Sequence, residues 1–220
     1  VRLDNLYAPG RDETPYGQKI EQHMLRDMMK KLADDADYRD RRNAIVAFNK
    51  ENADLRKGLA LTPIKFGISF TSTHLNQAGA LLHIYTDGSI HINHGGTEMG
   101  QGLHTKIAQV VASTLGVSYE RVMVSSTRTD KGPNTSPTAA SAGTDLNGMA
   151  AQNAAEKIKR RLHEFVASDS GARSNELTIE NDMVMVRGES RSFDNVIKAA
   201  YMNRVQLSAT GFYKTPKIHF

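Results

Sequence analysis

The chain has 220 residues, a formal net charge of +4, 24% charged and 39% hydrophobic residues, and no cysteine. That length buries a sizeable core in one large or two small domains, and the missing cysteines exclude disulfides, cysteine-ligated metal clusters and thiol catalysis within it. No stretch approaches the ~18 apolar residues of a membrane span, and basic residues alternate with acidic ones (Lys30-Lys31 before Asp34-Asp35; Arg39, Arg41 and Arg42 among Asp37 and Asp40), a solvated helix surface and not a nucleic-acid stripe.

The start, Val1-Arg2-Leu3-Asp4-Asn5, has neither an initiator Met nor the layout of a signal peptide, so an internal piece of a longer, cytoplasmic protein is expected. Residues 1–14 read as loop. Ile20, Met24, Leu25, Met28, Met29 and Leu32 fit an amphipathic helix over about 17–33, and Tyr38, Ile45, Val46 and Phe48 a second over about 38–52. Met at helical spacing reads as core filler.

After Lys57-Gly58 the character turns to β. The apolar, β-branched run 59–70 reads as a strand, and 80–86 with 89–94 as a hairpin about Asp87-Gly88. Leu103, Ile107, Val110, Val111 and Leu115 predict a helix over 102–115 that Gly116 ends. A short strand at 122–124, a polar loop at 128–137 and a long helix over about 139–166 follow. Beyond a linker at 168–175 come a hairpin about Asn181-Asp182, a helix over 193–202 capped by Ser192, and a strand over 207–213 with no closing element after it. The fold class expected is α/β, with α and β mixed (α+β). A helical N-terminal segment is expected over 1–57, and an α/β domain truncated at both ends over 58–220.

Two runs carry the chemistry. Gly95-Gly96-Thr97-Glu98-Met99-Gly100-Gln101-Gly102 lies between a strand and a helix, where bare N–H groups and a helix N-terminus suit an anion. Ser136-Pro137-Thr138-Ala139-Ala140-Ser141-Ala142-Gly143-Thr144 opens the next long helix, and the pair suggests one extended, charged, non-protein group held between them. A phosphate loop would need Lys-Ser/Thr where Gln101-Gly102 stands, and a dinucleotide fingerprint would need a third glycine where Thr105 stands. A glycine-rich turn without ligand stays the alternative. His91 and His94 are an odd number apart on a strand and so point to opposite faces, as surface or core histidines and not as a metal pair.

The segments Lys65-Phe66-Gly67-Ile68-Ser69-Phe70-Thr71, Leu75 to Ala80, Tyr85 to Gly88, Gly95 to Lys106, Asn134 to Ser141 and Ser208 to Tyr213 closely resemble the xanthine dehydrogenase/xanthine oxidase family. The resemblance covers about residues 58–220 and points to an internal part of the molybdenum-binding portion. It implies a molybdopterin cofactor contacted by Gly96, Met99, Gly100 and Gln101 from the first run and by Thr138, Ala139, Ala140 and Ser141 from the second. No side chain is implied as a direct metal ligand, and Ala140 is placed adjacent to Mo, where a small side chain leaves room. Glu98, beside an anionic cofactor, is expected to turn away. Phe66, Phe70 and Thr71 match the family's substrate pocket, where a ring stacks on a flat heterocycle and a hydroxyl meets a purine carbonyl.

The implied activity is hydroxylation of a purine, hypoxanthine or xanthine towards urate, with electrons leaving to NAD or O2. FAD and iron–sulfur clusters are implied only elsewhere in the parent enzyme, itself expected to be a homo-oligomer. The family's glutamate base aligns to nothing in this chain, so no catalytic residue is implied here and the isolated chain is expected to be inactive. Alternatives are a related molybdenum hydroxylase of aldehydes or other N-heterocycles, and a non-catalytic domain keeping the fold. No nucleic acid or membrane is expected as a partner.

Overall fold

In the computed structural model, residues 1–219 are described, and they divide into two compact units, 1–67 with His219, and 68–218. The boundary thus falls ten residues beyond the composition change at Lys57-Gly58. The first unit carries two helices, α1 (Leu25–Asp35) and α2 (Tyr38–Glu51). Helix α1 starts later than its apolar spacing predicts, because residues 12–20 fold back as a turn, Ile20 N–H donating to Asp12 O. Residues 59–67 run without a strand partner, so the expected strand over 59–70 does not form. A β-branched run has β propensity, but a strand exists only where an edge accepts its hydrogen bonds.

The second unit is α+β. Strands β1 (Gln77–Ile84), β2 (Ile90–His94), β3 (Val122–Val124) and β7 (Ser208–Lys214) form one mixed sheet in the order β3-β2-β1-β7. Strand β1 pairs antiparallel with β2 and β7, while β2 reaches its parallel partner β3 by way of helix α3 (Leu103–Leu115). The β1–β2 connection is a three-residue turn, Thr86-Asp87-Gly88, closed by Tyr85 N–H to Ser89 O with Gly88 at φ 82°. The final strand, β7, lies along nearly the whole of β1 and forms an edge of the sheet.

Alternate residues of this sheet are buried, among them Ala78, Ala80, Leu82, Ile84, Ile90, Ile92 and Ala209. Apart from Ala78, which packs with Ala142 and Leu146, they pack with Ile107, Val111 and Leu115 of α3 and with Ala150, Ala154, Ile158 and Leu162 of α4 (Met149–Ser170). Each large aliphatic side chain withdrawn from water here contributes ~1.5–3 kcal/mol. The alanine stripe of α4 lets the helix lie close to the sheet. At Gly211 of β7 even a methyl group would stand 2.7 Å from the backbone nitrogen of Ala154. The long helix begins at Met149 and not near 139: a π-helical turn, Thr144–Gly148, precedes it, and 138–142 stays non-helical.

A second sheet, β4 (Leu177–Glu180), β5 (Met183–Val186) and β6 (Glu189–Ser192), is antiparallel and ends in α5 (Phe193–Met202). The polar β6 gave no apolar alternation to read. Ser192 caps α5, its hydroxyl accepting from Asn195 N–H. Arg121 ties this sheet to the turn after α3, bonding Asp182 at 2.7 Å and also pairing with Asp194. Burial opposes ionisation of Asp182, but the Ser118 N–H and Arg121 outweigh it and hold the carboxyl below its usual range.

Candidate functional site

The first glycine run leaves β2 at His94 and enters α3 at Leu103. Five of its N–H groups are engaged within the protein. Gly96 N–H donates to His94 Nδ1 at 3.0 Å, Thr97 N–H to Thr138 Oγ1 at 2.8 Å, and Met99 N–H to Gln101 Oε1 at 2.6 Å. Glu98 Oε1 accepts from Gly100 and Gly102, each at 2.9 Å, and its Oε2 accepts from His104 N–H at 3.0 Å. The carboxylate is exposed and is not among the residues lining the cavity between the runs, in keeping with the expectation that it turns away. It caps the start of α3, and these N–H groups, His104 first, hold it below the usual carboxylate range. A carboxylate three to six residues upstream reaches those donors without strain once Gly100 and Gly102 take φ of 92° and 73°.

The second run is pinned from several sides. Ser136 Oγ donates to Leu75 O, and Ser69 N–H donates to Ala140 O at 3.1 Å. Two glycines admit the residues just before it: a Cβ at Gly79 of β1 would meet Pro133 Cγ at 2.7 Å, and one at Gly95, just after β2, would meet Thr135 Cβ at 2.7 Å. Ala140 and Ser141 both sit at positive φ, 51° and 52°, costing ~1 kcal/mol or more each for a residue with a Cβ. Among the described residues, the N–H groups of Ala139, Ala140 and Ser141 donate to no hydrogen bond recorded, whereas Ala142 N–H donates to Ala139 O.

Between the two runs lies a cavity of about 490 Å3, lined by Met99, Gln101, Leu103, Lys106, Thr138, Ala139, Ala140, Ser141, Gly143 and Thr144. Of the eight residues expected to contact a cofactor, Met99, Gln101 and the four from 138–141 line it. Gly96 lies behind it, where a Cβ would stand 2.6 Å from Leu103 Cδ2, and Gly100 belongs to the turn that closes on Glu98. Lys106 was not singled out from sequence, although a signal existed: a cation in the first turn of a helix opposes the helix dipole unless an anion stands near.

Behind Gly96 lie two buried polar side chains, His94 and Asn147, and the half-buried His104. His94 is 2% exposed, and burial, then His104, push its pKa to about 4, so it is neutral with Nδ1 accepting and the proton on Nε2. His94 and His104 meet edge to face at 5.3 Å, and Asn147 donates to Gly143 O at 3.1 Å. His91 instead sits half-buried on the outer face of the sheet, opposite in direction to His94 as the odd spacing requires. No group of three or more candidate metal ligands forms among the described residues.

Phe70 and Thr71 sit on a loop that Asn76 clamps: its Oδ1 accepts from Phe70 N–H at 2.7 Å and its Nδ2 donates to Phe70 O at 2.9 Å. Asn76 is 2% exposed, so this bidentate pair fixes the backbone of Phe70 in place of a strand partner. Phe66 belongs to the first unit and is 71% exposed. In that unit Lys65 Nζ lies 5.2 Å from the Tyr7 ring and 5.0 Å from the Tyr16 ring.

The family model for the molybdopterin cofactor-binding domain matches residues 31–220, and the chain belongs to that family. It is 44% identical over its whole length to a xanthine dehydrogenase/oxidase of Gallus gallus and 45% identical to a xanthine dehydrogenase of Blastobotrys adeninivorans. A nicotinate hydroxylase of Emericella nidulans is 41% identical. The chain spans about 15% of the length of these relatives. Among solved structures, a Cu,Mo-CO dehydrogenase superposes with a TM-score of 0.83 at 22% identity, covering 98% of this chain and 30% of that one. Quinoline 2-oxidoreductase from Pseudomonas putida 86 gives 0.72 at 20% identity, with the same coverage. These likenesses agree on the α+β fold. The cavity fits molybdopterin: hydroxyl groups, one ammonium and uncommitted N–H groups face an extended anionic group, and no bulky side chain of the 138–141 run fills the space.

Proposed function

We propose that this chain is the molybdopterin-holding part of a purine hydroxylase of the xanthine dehydrogenase type, and that the cavity between the two runs is its cofactor wall. The observation that carries the reading is convergence: two segments about forty residues apart are joined by Thr97 N–H to Thr138 Oγ1, and both line one polar cavity. In this reading Met99, Gln101 and the 138–141 backbone hold the pterin, with Gly96 and Gly100 shaping the first run. Lys106 and Ser141 meet its anionic tail. Ala140 is the small residue beside the metal, which itself has no protein ligand from this chain. When bound, the cofactor supplies two-electron redox chemistry, and the chain orients it.

Phe70, held by Asn76, offers a ring face to a flat heterocycle, and Thr71 a hydroxyl. No residue of this chain is assigned as the proton-accepting base, and FAD and iron–sulfur carriers belong to other parts of the protein, which passes electrons to NAD or O2. The molecule works as a homo-oligomer in the cytoplasm, with neither nucleic acid nor membrane as partner. Among the described residues, no helix is long and apolar enough to cross a membrane. The nicotinate hydroxylase relative supports a second reading, hydroxylation of another N-heterocycle.

Metal and pterin analysis of the protein carrying this chain tests the first part, with stoichiometric Mo and pterin expected; their absence leaves a non-catalytic domain. Turnover of hypoxanthine in preference to nicotinate or an aromatic aldehyde tests the second. The isolated 220-residue chain is expected to be inactive, and purine turnover by it would overturn the assignment of the base outside the chain.

A further inference from the structure

Glu98 is the feature that neither the sequence pattern nor the cofactor reading absorbs. A carboxylate beside residues that line a site for an anionic group (Met99 and Gln101) is electrostatically unfavourable unless it is neutralised where it stands. Here it is. Both oxygens are taken up by N–H groups at the entry to α3: Gly100 and Gly102 on Oε1, His104 on Oε2. These are the donors that a helix N-terminus ordinarily presents to an external anion. Gly96, Thr97 and Met99 N–H are also engaged, which leaves among 96–102 the N–H groups of Glu98 and Gln101 without an acceptor among the described residues. On the other side of the cavity, Ala139, Ala140 and Ser141 N–H groups remain uncommitted among the described residues, and Lys106 brings a positive charge.

We infer that Glu98 is a positioning residue acting as a built-in anion: it occupies the N-terminus of α3, holds the 97–102 turn preformed, and directs the cofactor's anionic tail to Lys106 and the 138–144 run. The second half of this statement rests on the molybdopterin reading of the cavity; the first half does not. Gly100 and Gly102 are in left-handed backbone, and their hydrogen bonds to Glu98, together with those of the Gln101 side chain with Met99 N–H and Thr97 O, fix the turn. The side chains that the turn presents, Met99 and Gln101, are cavity lining. Preorganising them spares the cofactor the cost of ordering the loop.

Hydrogen exchange read by mass spectrometry on the cofactor-bearing protein, with peptides spanning 95–106 compared against 149–170, tests the first half. In Glu98→Ala the amides of Gly100, Gly102 and His104 are expected to exchange at least about tenfold faster, the factor given by losing one charge-assisted hydrogen bond, while α4 is unchanged. Added formate, which can take the vacated place, should slow exchange again in Glu98→Ala and leave the native protein unaffected. Glu98→Gln keeps the shape, folds where the alanine variant fails, and should show a smaller acceleration confined to the same three amides. Unchanged exchange at 95–106 in both variants overturns the inference, as does acceleration in α4 equal to that in the loop with no response to formate.

Mo and pterin content read the second half. It should fall at least about tenfold in Glu98→Ala, where freed N–H groups compete for the tail, and in Lys106→Ala, where its cation is gone. If Glu98→Ala loosens the loop yet retains full cofactor, the direction of the tail is refuted. If the native protein itself holds no Mo, the cofactor reading fails while the loop result stands.

Discussion

Replacing Gly211 with alanine probes how closely α4 lies on the sheet that carries both site loops. An ideal Cβ at this position would stand 2.7 Å from Ala154 N and 3.0 Å from Ala150 C, and nearer still to the Ala150 carbonyl oxygen. All three are backbone atoms of a helix whose Ala150, Ala151, Ala154 and Ala155 are fully buried, so no side chain can swing aside. Relief requires α4 to withdraw from β7 by about 0.5 Å or more, and a gap of that size forfeits roughly a quarter of each dispersion contact along the interface. Overpacking of this kind costs ~3 kcal/mol, the upper end of its usual range. Gly211 is not in left-handed backbone, so alanine is otherwise permitted and recovers ~0.5–1 kcal/mol from a less flexible unfolded chain. The net expectation is a loss of about 2 kcal/mol. For a chain of this size, that lowers the melting temperature by roughly 4–8 °C. Thermal unfolding followed by helical circular dichroism reads it. A Gly211→Ala protein melting within about 2 °C of the native one would refute the close-approach account.

Acid stability and backbone strain give two further expectations. His94 has a folded pKa of about 4 against an ordinary 6.5, so between those values the unfolded chain binds more protons and stability rises with pH. Lowering pH from 6.5 to 4 therefore costs on the order of 3 kcal/mol through this one group, and denaturant unfolding of His94→Gln should show that slope removed. An unaltered pH profile in the variant would show that His94 is not buried neutral. Ala140→Val forces a β-branched residue to φ 51°, whereas Ala140→Gly relieves it, so the two variants should differ in stability by about 2 kcal/mol at constant denaturant m-value. Equal midpoints would mean that the 138–141 turn relaxes without strain.

The elements that sequence displays are those stabilised locally. Helix α3 shows its apolar period and its Gly116 stop, at φ 80°, in the amino acids themselves, and Ser192 announces α5 because a hydroxyl one residue before a helix has one obvious use. Both hairpins are legible from their turn residues. Misreadings cluster where a distant partner decides. Residues 59–67 have strand composition but no edge to join, and β6 has loop composition but an edge, β5, waiting for it. The long helix was expected ten residues too early because alanines 139, 140 and 142 favour helix, while the hydrogen bond from Ser69 and the left-handed turn at Ala140 and Ser141 hold that stretch open.

The same division applies to the site. Residue types and order alone marked two small-residue runs, six of whose eight expected contact residues line one cavity, and the family match over 31–220 agrees with that identity. Sequence could not say which run has N–H groups to spare, because that depends on where one carboxylate points. Three amides within six residues of Glu98 hold its side chain at the start of α3, and only the folded loop brings them together. Composition specifies the groups, and tertiary packing decides which of them are already satisfied.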